Sequence, residues 1–101
     1  MKYFDIFTSI EDVHQEWNGS HNVKDEEVLF AVYTYEEYSG SAFLIYERDG
    51  VLYEVHDAHC SCNGLENWNP EKTSWAALKM RDFKGYGREA DAYLDSLVKA
   101  K

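Results

Sequence analysis

The residues best suited to chemistry are crowded into Glu54–Pro70, "EVHDAHCSCNGLENWNP", which holds both cysteines, two of the four histidines and the single proline of a 101-residue chain. Three readings fit these residue types. The first is zinc, because His56, His59, Cys60 and Cys62 supply the nitrogen and sulfur donors that zinc prefers. The spacing suits it less: structural zinc takes ligand pairs from two distant segments, whereas one residue separates Cys60 from Cys62 and His59 abuts Cys60, so His14, His21 or a carboxylate would have to complete the set. The second is thiol chemistry, in which a neighbouring histidine holds a cysteine as thiolate, or two cysteines act as attacking and resolving thiols. The usual redox spacing is C-x-x-C at a helix start, and "NGLENW" after Cys62 shows no such start. The third is structural: buried cysteines, His59 bonded to backbone groups, Asn63-Gly64 as a turn, and Leu65 and Trp68 pinning the segment to the core.

Elsewhere the candidates are for binding. Asp25, Glu26 and Glu27, with Glu36, Glu37 and Tyr38, form two acidic runs that suit either a partner surface or a solvated face. Tyr33, Tyr35, Tyr46 and Tyr53 join Tyr38 as residue types enriched at binding hot spots and, equally, as packers of a half-buried sheet. Glu54 and Asp57 as a hydrolytic carboxylate pair are indistinguishable from strand-edge charges. The chain has no Gly-rich phosphate loop, nucleophile elbow, H-E-x-x-H helix or basic recognition helix.

These residues must be placed by elements that the pattern also suggests. "MKYFDIF" alternates as a short strand or packed arm does. "TSIEDVHQEWNG" offers Ser9 as a cap, Glu11 and Asp12 in the first turn, and Ile10, Val13 and Trp17 at helical spacing, which predicts a short helix ending at Gly19. "SHNVKDEE" reads as a loop. The apolar runs at 28–35, 42–48 and 51–56 predict strands, the last two joined by Asp49-Gly50, a strong signal for a hairpin turn with positive φ at both positions. Pro70 is expected to open a helical region in which Thr73 or Ser74 caps a helix with Trp75, Leu78 and Met80 inward, followed by a last helix with Ala90, Tyr93, Leu94, Leu97 and Val98 on one stripe. The expected fold is one α+β domain: a three-stranded antiparallel meander packed on one face by a short N-terminal helix and two C-terminal helices, leaving the other face for a partner.

Composition narrows the function. With 10 Lys and Arg against 19 Asp and Glu, the net charge is −9, which opposes direct contact with nucleic acid and anionic membranes and favours basic protein partners. Two cysteines cannot frame a disulfide scaffold. The opening residues lack a signal peptide's basic and apolar regions, and no apolar run nears a membrane span, so a cytoplasmic location is expected.

Ser41–Leu78, "SAFLIYERDGVLYEVHDAHCSCNGLENWNPEKTSWAAL", resembles a family of small bacteriophage and prophage proteins in which a phrase like "HCSC-x-GLE" follows "DG-x-LYEV" and precedes "W-x-PE-x-T". The likeness covers over a third of the chain. Asn63 stands where that pattern carries an aromatic, and His56 falls outside it. The resemblance implies a phage origin and no established activity. Taken with size, charge and aromatics, it leads to the expectation of a phage-encoded binding protein, not an enzyme. Such a protein would inhibit a host defence protein or nucleoprotein complex, as an anti-CRISPR inhibitor does, by occupying its nucleic-acid-binding surface. The alternative is a zinc-binding or thiol-dependent module on His59, Cys60 and Cys62. No cofactor is expected apart from that zinc.

Overall fold

The computed structural model describes residues 2–36, 39–60, 64–83 and 85–101, with Glu36 and Cys60 described by their backbone alone. Its sheet has five strands in the order β1 (Tyr3–Asp5), β2 (Val28–Glu36), β3 (Ser39–Arg48), β4 (Val51–Cys60) and β5 (Glu71–Thr73). The pair β1 and β2 is parallel and the other three pairs are antiparallel. The fold is α+β, but the expected three-stranded antiparallel meander is only the centre of a larger mixed sheet.

β1 lies within "MKYFDIF", whose alternation suits a short strand, and Tyr3–Asp5 of it pairs with β2. The other flanking strand escaped the pattern for a physical reason. β5 is Glu-Lys-Thr, with no apolar residue, and exists because its backbone pairs with Leu52–Glu54. Pro70 therefore precedes a strand and not a helix. The central strands also outrun their apolar runs, since Ser39–Ser41 and Asp57–Cys60 continue the same ladder. At the predicted hairpin, Asp49 and Gly50 have φ of 53° and 78°.

Among the described residues there are three α-helices: α1 (Ile10–Glu16), α2 (Trp75–Lys79) and α3 (Arg88–Lys99). Ser9 and Ser74 cap the first two, accepting from the Asp12 and Ala77 amides. The first helix stops before Gly19, which takes φ 97° to enter one of two single-turn 3₁₀ segments, Ser20–Asn22 and Asp25–Glu27.

Both faces of the sheet are covered, which overturns the expected open face. On one side Phe7, Val13, Trp17, Val23 and Leu65 pack against Ala31, Leu44 and Val55. On the other, Leu78 of α2 and Ala90, Leu94 and Val98 of α3 cover Phe30, Phe43 and Ile45. Met80, expected inward, is 89% exposed. Alternation along β2 sends its side chains to both layers, and a bulge between Val28 and Phe30 shifts the phase: the extra residue, Leu29, lets Val28 and Ala31 share one face while Phe30 points to the other.

The stretch after the cysteines is a strap over the first layer. Leu65 bridges Trp17, and its carbonyl accepts from the Asn18 amide at 2.8 Å. The Trp17 indole N–H donates to the Asn67 carbonyl at 2.9 Å, and Trp68 meets the Trp17 ring edge-on at 5.0 Å. Leu65 and Trp68 thus pin the segment, as the structural reading requires.

Candidate functional site

β1 and β5 pair only with Ala31–Tyr33 and Leu52–Glu54, so the far ends of β2, β3 and β4 project beyond them. At this end one row crosses three strands: Tyr35 opposite Gly40, and Gly40 opposite His59. Side chains two apart share a face, so Tyr33 lies beside the same row. Gly40 is needed here for space and not for its backbone angles. A Cβ at this position would stand 2.6 Å from His59 Nε2 and 3.0 Å from Tyr33 Cε1. Into that gap the His59 ring leans to share a hydrogen bond with the Tyr33 hydroxyl, with Tyr35 against it at 5.4 Å between ring centres. Burial pushes the Tyr33 phenol up, with smaller contributions from Glu16, Tyr35 and Asp57. It stays protonated at neutral pH and can donate to the imidazole. Tyr35 is 44% exposed.

The register brings together two segments that are separate in the sequence. Glu36 pairs with Ser39 and Ser39 with Cys60, so the backbone of the second acidic run and that of the cysteine segment meet at one end of the sheet. Glu37, Tyr38 and Cys62 lie outside the described residues. The first acidic run is elsewhere, at the opposite end of β2 and roughly 26 Å from Glu36 at the usual rise per strand residue. There, Asp25 accepts from Tyr3 Oη at 2.7 Å and Glu27 takes two bonds from Arg48, at 2.7 and 2.8 Å, while Glu26 is exposed. The two runs do not make one patch, and Asp25 and Glu27 are engaged within the fold.

The Arg48 guanidinium, reinforced by the Lys24 amide, overcomes burial to hold the Glu27 carboxyl down from its ordinary 4.5 to about 2. A carboxyl lowered on folding adds stability that is complete above its unfolded value and disappears as pH falls through its folded one. Stability should therefore decline from pH 4.5 toward pH 2, and Glu27→Gln should flatten that limb in urea titrations at several pH values. An unchanged acid limb in the variant would refute this assignment.

Asp57, His59 and Cys60 all lie at the end of β4, with Ala58 after Asp57. The Asp57 carboxylate accepts from the Asn67 amide at 3.0 Å, fastening the strap. Its sequence partner Glu54 points to the other face, so the two form no carboxylate pair. Among the described residues, no group of three or more His, Cys, Asp or Glu is placed to hold a metal ion.

One cluster had no counterpart in the sequence reading. Glu54, only 7% exposed, accepts two bonds from Arg81 Nη1 at 2.6 and 2.7 Å and one from His56 Nε2 at 2.6 Å. A carboxylate only accepts, so this ring nitrogen carries the proton. Phe43 stacks on His56 at 4.3 Å, and Arg81 lies over Phe83 at 5.0 Å. Burial raises the Glu54 carboxyl, but hydrogen bonds from His56, Thr73 and Arg81 and the Arg81 charge reverse this and hold it below the usual range. The signal available in the sequence was Glu54 two residues from Leu52 in "VLYEVH", a carboxylate in step with an inward position and so in need of a partner. Nothing in the sequence identified Arg81 as that partner.

Gly40→Ala should push His59 aside and break its bond to Tyr33. The expected loss is about 1–3 kcal/mol, with a large shift of the His59 ring resonances in NMR spectra. Unmoved His59 resonances would show that the gap is not occupied as described. Comparison of the chain with protein-family models, curated proteins and solved structures returned no match.

Proposed function

We propose that this chain is a small acidic binding protein, encoded by a bacteriophage, that inhibits a host defence protein or nucleoprotein complex by occupying its basic, nucleic-acid-binding surface. The observation that carries this reading is the projecting end of the sheet. Tyr33, Tyr35 and His59 form an aromatic and hydrogen-bonding platform there, next to the strand end where Glu36 meets Ser39. The platform is built on strands and held by internal bonds, so little ordering is needed on binding. The net charge of −9 raises the rate of encounter with a basic surface, and the exposed Tyr35 ring supplies an anchor. The phage assignment is supported by the resemblance in Ser41–Leu78.

The test is copurification from host lysate at moderate salt. A host complex retained by the native chain should be lost with Tyr35→Ala, for which a hot-spot loss of about 2 kcal/mol corresponds to roughly thirtyfold weaker binding. Recovery of no partner, or equal recovery by the variant, counts against the proposal. Zinc copurifying near one equivalent with untagged protein, and a melting temperature lowered by chelation, would instead favour the module on His59, Cys60 and Cys62.

A further inference from the structure

The sheet ends at β1, and its outer edge opens into a groove of about 610 Å³ lined by Lys2, Tyr3, Phe4, Asp5, Glu89 and Tyr93, among others. The inner edge is accounted for. The Ala31 amide donates to the Lys2 carbonyl at 2.9 Å and the Ile6 amide to the Tyr33 carbonyl at 3.1 Å. Backbone groups alternate along a strand, so Lys2, Phe4 and Ile6 face β2 while Tyr3 and Asp5 face outward. Asp5, at φ 59°, then turns the chain away. The edge thus offers three pairing groups: the Tyr3 N–H and C=O and the Asp5 N–H. Outward-facing pairing groups of this kind can template an added strand, here over a short three-residue edge.

The charges select the occupant. The groove's cation, Lys2, already donates to the Asp25 backbone carbonyl at 2.6 Å and lies 3.4 Å from the Asp25 carboxylate. Asp5 and Glu89 face the groove as exposed carboxylates. Arg88 lies beside them in a smaller neighbouring depression, but the whole chain carries −9, which also disfavours a second copy as occupant. A strand laid here would send alternate side chains to the two sides of the sheet: toward Glu89 and Tyr93 on the α3 side, and toward Tyr3 and Phe7 on the other.

We propose that the outer edge of β1 is a second binding site, which takes an extended, alternately basic and apolar segment of a partner protein as a sixth strand of the sheet. The site goes beyond the aromatic end of the sheet and does not depend on it.

The probe is a capped heptapeptide of alternating lysine and valine, titrated at low salt into the ¹⁵N-labelled full chain and followed by amide shifts and hydrogen exchange. Saturable shifts are expected at Tyr3, Asp5 and Glu89, with exchange of the Tyr3 and Asp5 amides slowed at saturation. The glutamate-for-lysine peptide should not bind, and N-methylation of alternate peptide amides should abolish binding in one of the two registers of methylation. Asp5→Asn with Glu89→Gln should weaken binding by about fivefold, as for partly exposed charge pairs. Tyr35→Ala should leave it unchanged, which separates this site from the one proposed above. Shifts that do not saturate, that centre on Tyr35 and His59, or that survive both N-methylated peptides would overturn the proposal, the last because they would report charge attraction without strand pairing.

Discussion

Replacing Arg81 by alanine is expected to lower the unfolding free energy by about 2–3 kcal/mol at neutral pH. Removing one partner of a fully buried ion pair typically costs about 3–5 kcal/mol, because the remaining charge is left in a poorly polar site. Here the Arg81 side chain is 39% exposed and that of Glu54 only 9%. Water and the surviving His56 and Thr73 bonds therefore recover part of the loss. The pH dependence separates this from simple loss of packing over Phe83. With Arg81 present, the Glu54 carboxyl is lowered, so its contribution is complete above the unfolded value and disappears on acidification. Without Arg81, the upward effect of burial has less to oppose it, and protonation then relieves the site. The deficit of Arg81→Ala should shrink between pH 7 and pH 4, and Glu54→Gln combined with it should be milder than the sum of the two singles. A deficit constant with pH, together with additive singles, would mean that the charge at Glu54 is not what the arginine stabilises.

Trp17→Ala should be more damaging, by about 3–5 kcal/mol, a large part of the 5–15 kcal/mol by which domains are usually stable. Trp17 is fully buried, stacks on Phe7 and supplies the N–H that holds Asn67. The substitution leaves a cavity and removes the peg on which Leu65 and Trp68 are hung. Urea unfolding should show a much lower midpoint with an unchanged slope. Trp68→Ala, at a partly exposed site, should do much less. Similar losses from the two would contradict the central place given to Trp17.

The sequence announced the elements whose side chains carry their own signal. The Asp49-Gly50 turn, the Ser9 cap and the α3 stripe are local facts, written in a few neighbouring residues. What was not legible depends on pairing. No residue of Glu71–Thr73 favours a strand strongly enough to declare one, and β5 forms only because Leu52–Glu54 presents a ladder to it. The covered second face depends on tertiary packing in the same way, since which elements lie over each face of the central strands is set by how the chain returns across the sheet. At the candidate site, the tyrosines and the cysteine segment stood out individually. Their meeting rests on the register that sets Tyr35, Gly40 and His59 in one row, and nothing local to Gly40 in the sequence shows that His59 fills the space above it.

The parallel pairing of β1 also orders events during synthesis. Tyr3 has no strand partner until Ala31 has been made, and Trp17 waits for Asn67, 50 positions later. At roughly 5–20 residues per second, residues 3–17 spend seconds at the ribosome with their aromatic side chains uncovered. The hairpins β2–β3 and β3–β4 can close as they emerge, because their contacts are local. Residues 3–17 thus reach their native places only after segments made later, and a chaperone bound to the nascent chain would find Phe7 and Trp17 within reach until the strap arrives, and Phe4 until Tyr93 of α3 does.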